Sequence, residues 1–275
     1  MTATGALVEA LAAVGATRDH AIDLAGTALI LAALDHRSTP LDSYRDHLAE
    51  LARDAAVEAG PEPDLAQRIR ALATTFERHG YSGDVASYDD PDNADLIRVI
   101  DRRKGLPVAL AILWLHAARA NGWTATGLAF PGHFLIRLET EGDRAIVDPF
   151  HGGKVRDPGE LRELLKQVAG LDAELRPEHY APVGNRDVLL RLLNNVKLRC
   201  LQAGDAARAA EIIDRLRLIA PDRIELLREA GLCHARLGNL ARAGEMLTAF
   251  IDAAEEGPAR SEAVALLKRL RARLN

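Results

Sequence analysis

The sequence has little cysteine and no excess of basic over acidic residues, and each of these features excludes some classes of protein. It has two cysteines in 275 residues, both in segments with a helical pattern, which argues against a disulfide framework and indicates a reducing compartment. The formal net charge is −5, whereas binding to nucleic acid or to an anionic membrane rests on a concentrated basic surface. We therefore expect neither nucleic acid nor a membrane as the partner.

Long apolar runs and a basic leader are also absent. The run "LAGTALILAAL" is shorter than the roughly 20 residues that cross a bilayer. The N-terminal stretch "MTATGALVEALAAVGATRDHAIDLAG" has acidic residues and a histidine early and no basic cluster, unlike a secretion signal or a transit peptide. Because 48% of the residues are hydrophobic and 27% are charged, the chain can bury a sizeable core. We expect a folded, cytoplasmic protein.

The chain divides by composition into three zones. Residues 1–78 are rich in Ala and Leu with helical spacing. Residues 79–184 hold a turn-rich loop, an apolar helix that Pro107 opens and Gly122 closes, and short β-type runs that predict antiparallel strands. Residues 185–275 are helical again. The sequence predicts an α+β, mostly helical fold, in which a small antiparallel sheet packs on the central helix between N-terminal helices and a C-terminal helical array.

The C-terminal zone contains an internal repeat. "GDAARAAEII", which begins at Gly204, recurs as "GNLARAGEML" from Gly238, an offset of 34 residues that equals the tetratricopeptide period. Gly and Ala at equivalent positions let paired helices approach closely, and each pair hides its apolar stripe against the next. Chance similarity between Ala-rich helices is the alternative explanation. The repeat predicts a tetratricopeptide-like array over residues 185–275.

The segment "GLAFPGHFLIRLETEGDRAIVDPFHGG", residues 127–153, reads as a β-hairpin with a histidine and an aspartate near its ends. With the turn centred between Thr140 and Glu141, His133 and Asp148 lie directly opposite, with Cβ atoms about 5 Å apart. A two-residue shift keeps the pair on one face, whereas a one-residue slip separates it. On one face, the carboxylate fixes the imidazole tautomer and leaves the other nitrogen free as a general base for a Ser or Cys nucleophile.

Several motifs together resemble a known family. They are "YDDPDNADLIRVIDRRKGLPVALAILWLHAARANG", "PGHFLIRL", "VDPFHGG" and "NRDVLLRLLNN", followed by the repeated helices. This string is similar to the SirB-type proteins, in which a transglutaminase-like core related to papain precedes tetratricopeptide-like repeats. The resemblance runs from about Tyr81 to near the C-terminus. It implies N-terminal helices over residues 1–78, a transglutaminase-like core over 79–184 and tetratricopeptide-like helices over 185–275.

The resemblance also identifies a candidate catalytic site that lacks its nucleophile. In catalytic relatives, a Cys at the start of the central helix is followed by His and Asp on adjacent strands. Aligning Gly105 and Ala111 with the superfamily pattern Gly-x-Cys-x-x-x-Ala puts Pro107 in the place of the thiol. Proline suits the first helical position but carries no nucleophile. The resemblance therefore implies that His133 and Asp148 are vestigial, and it favours a protein that is not an enzyme.

Three interpretations of the pair remain open. The two side chains satisfy one another at the edge of a core, or they belong to a recognition cleft, or they act with an unrecognised nucleophile or a water molecule in an amide hydrolase or acyl transferase. The candidates for a cleft are Tyr88, Asn93, His133, Asp148 and His151. We favour a non-catalytic interaction or regulatory protein with a protein or peptide partner.

No motif indicates a metal or a cofactor. His116, His133, Asp148 and His151 could meet around a metal ion, but no paired spacing such as His-x-x-x-His is present in the sequence. The segment "PFHGGK" lacks the spacing of a phosphate-binding loop. We expect the protein to use neither a metal nor a cofactor.

Overall fold

The computed structural model describes residues 3–36 and 39–274. These residues form two compact units, one from Arg18–Leu192 and the other from the described residues of Met1–Thr17 and Leu193–Asn275. Helices dominate both units, and the strands lie in the first, so the mostly helical α+β fold is confirmed. Among the described residues, no helix is both long and apolar enough to span a membrane. The zones 1–78, 79–184 and 185–275 stay predictions from the sequence.

Aspartates begin most of the helices of the first unit. Four aspartates accept a hydrogen bond from the backbone N–H three residues further on, which satisfies an otherwise unpaired donor of the first turn: Asp23, Asp64, Asp95 and Asp157. The α-helices that lie wholly within this unit are α2 (Leu24–Ala33), α3 (Asp42–Ala59), α4 (Leu65–Arg78), α5 (Leu96–Arg102), α6 (Pro107–Ala120) and α7 (Pro158–Ala169).

Helix α6 is the centre of the first unit. Nearly all of its side chains are buried, including those of Pro107 and Trp114. A helix that is apolar on every side has to be covered on every side, and α6 packs against α3, against the sheet and against the 3-10 turn Pro149–His151. Pro107 occupies the first helical position, where a missing N–H costs nothing. The helix predicted between Pro107 and Gly122 is therefore present, and it ends at Ala120.

The sheet of the first unit has five antiparallel strands in the order β6-β5-β4-β3-β7. A separate parallel pair, β1 with β2, lies before α6. The bounds are β1 (Ser82–Gly83), β2 (Lys104–Gly105), β3 (Thr124–Leu128), β4 (Ile136–Glu139), β5 (Arg144–Asp148), β6 (Lys154–Val155) and β7 (Pro182–Val183). The short β-type runs predicted after the central helix correspond to β3, β4 and β5, but β4 starts at Ile136, so His133 lies in the preceding loop.

The hairpin register differs from the predicted register, in which the turn is centred between Thr140 and Glu141. Ile136 pairs with Val147, and the N–H of Thr140 donates to the carbonyl of Asp143 at 2.9 Å. The turn is therefore centred one residue later, because Gly142 adopts a positive φ of +104° that a non-glycine residue rarely adopts. Extending this pairing places residue 150, not 148, opposite position 133. This is the two-residue shift that keeps the histidine and the aspartate on one face.

The second unit contains the internal repeat. Its helices are α1 (Ala3–Ala16), α9 (Ala206–Ile219), α10 (Glu225–Arg236), α11 (Leu240–Ala253) and α12 (Pro258–Leu274), together with the end of α8 (Asn185–Gln202). Gly204 and Gly238 have φ values of +77° and +75°. The residues that follow them, Asp205 and Asn239, donate their N–H groups to carbonyls five residues back, at 2.8 and 2.9 Å. The 34-residue echo is thus a repeated turn geometry.

Candidate functional site

The carboxylate of Asp148 is the centre of a buried hydrogen-bond network at the end of β5. Its side chain is fully buried. Because the chain turns into a 3-10 helix directly after β5, the N–H groups of Phe150 and His151 donate to Oδ1 at 3.1 and 3.3 Å. The side chains of His133, His151 and Arg156 also contact this carboxylate. A buried carboxylate with this many donors is satisfied as an anion.

The charges around Asp148 favour its ionised form. Burial by itself raises the pKa of a carboxyl group, but the bond and charge of His133, with bonds from Arg156 and His151, outweigh it and hold the pKa of Asp148 well below its usual range. Arg156 is the permanent cation, with Nη2 2.6 Å from Oδ2. A buried charge is costly unless it is paired. Arg156 therefore supplies the counter-charge, a role that is not predicted from the sequence.

His133 lies in the loop between β3 and β4 and is held from two sides. Its Nε2 is 2.9 Å from Oδ1 of Asp148, so the contact predicted between these side chains is present. Nη2 of Arg191 donates to the backbone carbonyls of Phe130 and His133, at 2.8 and 2.7 Å, which fixes the loop. None of the described residues hydrogen-bonds Nδ1 of His133. In the neutral tautomer that donates from Nε2 to this carboxylate, Nδ1 carries the lone pair.

Aromatic ring contacts connect His133 to the protein surface. The ring centroids of Tyr88 and Phe150 are 5.9 Å apart, and those of Phe150 and His133 are 5.8 Å apart. The ring of His151 lies 5.6 Å from that of His133. Tyr88 and His151 are exposed, whereas Phe150 and His133 are buried. Of the cleft candidates, Tyr88 and His151 are thus the ones that a partner can touch first.

Asn93, another cleft candidate, lies inside the first unit. It is fully buried, and its Nδ2 donates to the carbonyl of Ser87 at 2.7 Å. Its own carbonyl accepts from the N–H of Leu106 at 2.9 Å, directly before the first residue of α6. Asn93 therefore links the loop that carries Ser87 and Tyr88 to the start of α6. It does not lie on a surface that a partner reaches.

The first turn of α6 offers no group that can attack a carbonyl carbon. Residues 107–110 are Pro, Val, Ala and Leu, and all four are buried. Cys200 and Cys233 lie on α8 and α10, where burial raises the pKa of each thiol and so disfavours the reactive thiolate. Within the described part of the chain, no Ser, Thr or Cys hydrogen-bonds the ring of His133. The imidazole thus has an orienting carboxylate and no bonded nucleophile.

Two groups of described residues bring nitrogen and oxygen atoms close enough to share a metal ion. In the first, atoms of His133, Asp148 and His151 lie within 4.8 Å of one another. There, Nη2 of Arg156 is 2.6 Å from Oδ2 of Asp148 and 3.0 Å from Nδ1 of His151. A guanidinium already lies against two of the three residues, so this arrangement disfavours a further cation.

The second group, His47, Glu50 and His79, is not among the residues predicted from the sequence. His47 and Glu50 are three residues apart in α3 and share a face of that helix, which is a signal that the sequence contains. His79 follows α4, and no local pattern shows that it joins them. The group depends on how α3 and α4 pack.

A cavity of about 500 Å³ lies elsewhere in the first unit. Its lining includes Asp19, His116, Arg119 and Asn185. Asp19 is engaged there as a helix cap, since its Oδ2 accepts from the N–H of Asn185 at 2.9 Å. Neither His133 nor its partners line this cavity. His116, considered above as a metal ligand together with His133, belongs to the cavity and not to either metal-capable group.

Comparison with protein families assigns both parts of the chain. Residues 42–194 match the transglutaminase-like superfamily. Residues 196–270 match the tetratricopeptide repeat. The transglutaminase-like core and the repeat array expected from the sequence are therefore confirmed.

Similar proteins cover most of the chain. A UPF0162 protein of Xylella fastidiosa is 32% identical over 240 residues, which is 85% of this chain and 84% of that protein. A UPF0162 protein of Vibrio cholerae is 31% identical over 219 residues, or 79% of this chain and 81% of that protein. The protein SirB1 of Salmonella typhimurium is 24% identical over 214 residues, 78% of each chain. The chain belongs to the transglutaminase-like superfamily and combines that core with tetratricopeptide repeats.

Proposed function

We propose that the protein is a non-catalytic interaction protein, in which a histidine and an aspartate of papain type lie in the core without a nucleophile. The observation that carries the proposal is the first turn of α6, where residues 107–110 are buried Pro, Val, Ala and Leu. Acyl transfer needs an attacking atom within about 3.5 Å of the reacting carbon. The retained pair then orients the hairpin and the loop that carries Tyr88.

The partner in this proposal is a protein or a peptide. Tetratricopeptide helices commonly present a surface on which a peptide or a partner helix packs. The repeat helices of this chain carry exposed apolar side chains that suit such packing, among them Leu198, Leu232 and Leu237. In the first unit, Tyr88 and Val85 are exposed on one loop. Free thiols at Cys200 and Cys233 agree with the reducing cytoplasm that we propose as the location.

Capture of partners from the native cell tests the proposal. The bait is the full-length chain, compared with Leu198→Glu, Tyr88→Ala and the control Val57→Glu, whose wild-type side chain is exposed on α3. We expect a specific protein that the wild type and Val57→Glu retain and that Leu198→Glu or Tyr88→Ala loses. Binding of that purified protein is then measured directly. The same capture profile for all four baits would contradict the proposal.

An amide hydrolase or acyl transferase is the second candidate. The observation that favours it is the state of His133, whose Nε2 is bonded to a buried carboxylate while no described residue bonds Nδ1. This is the arrangement of a general base that activates a water molecule. It predicts a hydrolytic activity that His133→Ala abolishes with the fold intact. His36→Ala is the matched control, because His36 is also bonded to an aspartate, Asp95, at 2.9 Å.

A further inference from the structure

We propose that His47, Glu50 and His79 form a binding site for a divalent transition-metal ion of the zinc type. Each residue offers one ligand atom, and these atoms lie within 4.8 Å of one another. Two imidazoles and one carboxylate are a ligand set that Zn²⁺ takes, with a fourth position for water. The site shares no residue with the pair of His133 and Asp148, and it does not depend on the proposed function.

The fold brings the three residues together through the packing of α3 on α4. His47 and Glu50 are separated by three positions in α3, so their side chains leave the same face of the helix. His79 directly follows α4 as its C-cap residue. The ring centroids of His47 and His79 are 5.5 Å apart, with an angle of 65° between the ring planes. Small movements of side chains are therefore enough to close the three ligands on an ion.

Each histidine has one nitrogen held by an outer partner. Nε2 of His47 lies 3.0 Å from the hydroxyl of Tyr81, and its Nδ1 lies 2.8 Å from Oε2 of Glu50. Nε2 of His79 lies 2.8 Å from Oδ2 of Asp54, and no described residue hydrogen-bonds its Nδ1. His79 shows the pattern of metal-binding histidines, in which a carboxylate fixes the ring through the nitrogen that does not bind the metal.

An ion can enter from the side of Glu50. The side chains of His47 and His79 are 10% and 15% exposed, whereas that of Glu50 is 49% exposed. A cavity of about 590 Å³ borders His47 and Glu50.

Arg103 contacts the proposed ligand His47, and Arg78 contacts the outer partner Asp54. Arg103 contacts Nε2 of His47 and donates to the hydroxyl of Tyr81 at 2.5 Å, on the side of the ring away from the Nδ1 that faces Glu50. Arg78 pairs with Asp54 at 3.1 Å. The oxygen of Glu50 and the Nδ1 edge of His47 carry no such cation contact among the described residues. This distinguishes the site from the His133 group.

Zinc titration of the tag-free, full-length, chelator-treated protein tests the proposal. We expect the wild type to bind one equivalent of Zn²⁺ by calorimetry, and Co²⁺ to give visible absorption at the same site. His47→Ala and Glu50→Gln are expected to weaken binding at least about tenfold, as is Asp54→Asn through loss of the outer carboxylate. His36→Ala, the matched histidine–aspartate control, and His133→Ala are expected to bind as the wild type does.

Three results would overturn the proposal. They are no uptake of Zn²⁺ by the wild type, binding that persists unchanged in His47→Ala and Glu50→Gln, and binding that His133→Ala removes instead. Because Glu50 is half-exposed, Glu50→Gln keeps the fold, which circular dichroism and the unfolding midpoint verify. A negative result here leaves the proposed interaction function unchanged, since that function is measured by partner capture.

Discussion

Arg156 and His133 bind opposite oxygens of one buried carboxylate. Nη2 of Arg156 lies 2.6 Å from Oδ2 of Asp148, and Nε2 of His133 lies 2.9 Å from Oδ1. Because a guanidinium keeps its positive charge at every accessible pH, Arg156 is a permanent counter-charge for this carboxylate. Asp148 therefore has two roles. Its bonds to Arg156 and to the backbone after β5 anchor that segment, and its bond to His133 orients the imidazole.

Removal of the arginine charge is expected to destabilise the protein strongly. Arg156→Ala leaves a buried anion short of its cation, and such losses cost about 3 kcal/mol or more of the free energy of unfolding. Urea unfolding at pH 7 measures the effect. The control is Arg144→Ala on β5, the strand that ends at Asp148; the Arg144 side chain is exposed, so its loss should cost less than about 0.5 kcal/mol. Equal losses in the two variants would contradict the role given to Arg156.

The stability contributed by Asp148 should depend on pH with a defined sign. Its pKa in the folded protein is below the usual value, so its contribution is present above the unfolded pKa of about 4 and is lost as the pH falls towards the folded pKa. We expect Asp148→Asn to be less stable than the wild type by about 3 kcal/mol at pH 7. The difference should narrow below about pH 4. Urea titrations between pH 7 and pH 3 measure it, and a difference that widens with acid would contradict the assignment.

Local signals in the sequence were enough to predict much of the fold. Pro107 and Gly122 bound the central helix, and the 34-residue echo indicates the repeat, because both depend on residues close together in the chain. The hairpin register could not be derived in the same way, since it depends on which residue adopts the positive φ in the turn. The short strands β6 and β7 carry too few residues for a period-2 pattern.

The candidate site could be predicted only in part, because some of its contacts join residues close together in the chain and others do not. His133 lies in the loop before β4 and Asp148 ends β5, the two strands of one hairpin, so their contact follows from a pairing that is local in the chain. Arg156 reaches Asp148 only after an intervening 3-10 turn, and His79 reaches His47 through the packing of two helices. Contacts of this kind depend on tertiary packing, which no local periodicity encodes.

Gly153 is expected to be the least replaceable glycine next to Asp148. It has a φ of +84°, and a Cβ atom there would clash with the ring of Trp114. Gly152 has a φ of +66° with open space around it, so Gly152→Ala should cost about 1 kcal/mol for the left-handed backbone alone. Gly153→Ala should cost about 3 kcal/mol, because overpacking adds to that strain. Urea unfolding compares the two, and equal costs would contradict the close packing of this turn on α6.

A cysteine at the first position of α6 should become reactive if His133 and Asp148 are part of a papain-type site. In Pro107→Cys, the helix N-terminus and His133 would lower the pKa of the new thiol. We expect iodoacetamide at pH 6 to alkylate it about tenfold faster than the thiol of Val108→Cys. Peptide mapping separates the new site from Cys200 and Cys233.

The double variant Pro107→Cys with His133→Ala completes that experiment. The rate of alkylation at residue 107 should fall to that of Val108→Cys, because the thiolate loses its imidazole partner. Alkylation at residue 107 that is slow from the outset, or fast without His133, would show that the two positions do not form a site together.

Covalent labelling of the wild type is the most direct measurement of whether any nucleophile serves His133. The wild type and His133→Ala are each treated with an activated acyl probe, and the adducts are located by intact mass and peptide mapping. We expect the same adduct pattern in both proteins. A single adduct on a Ser, Thr or Cys of the wild type that disappears in His133→Ala would contradict it.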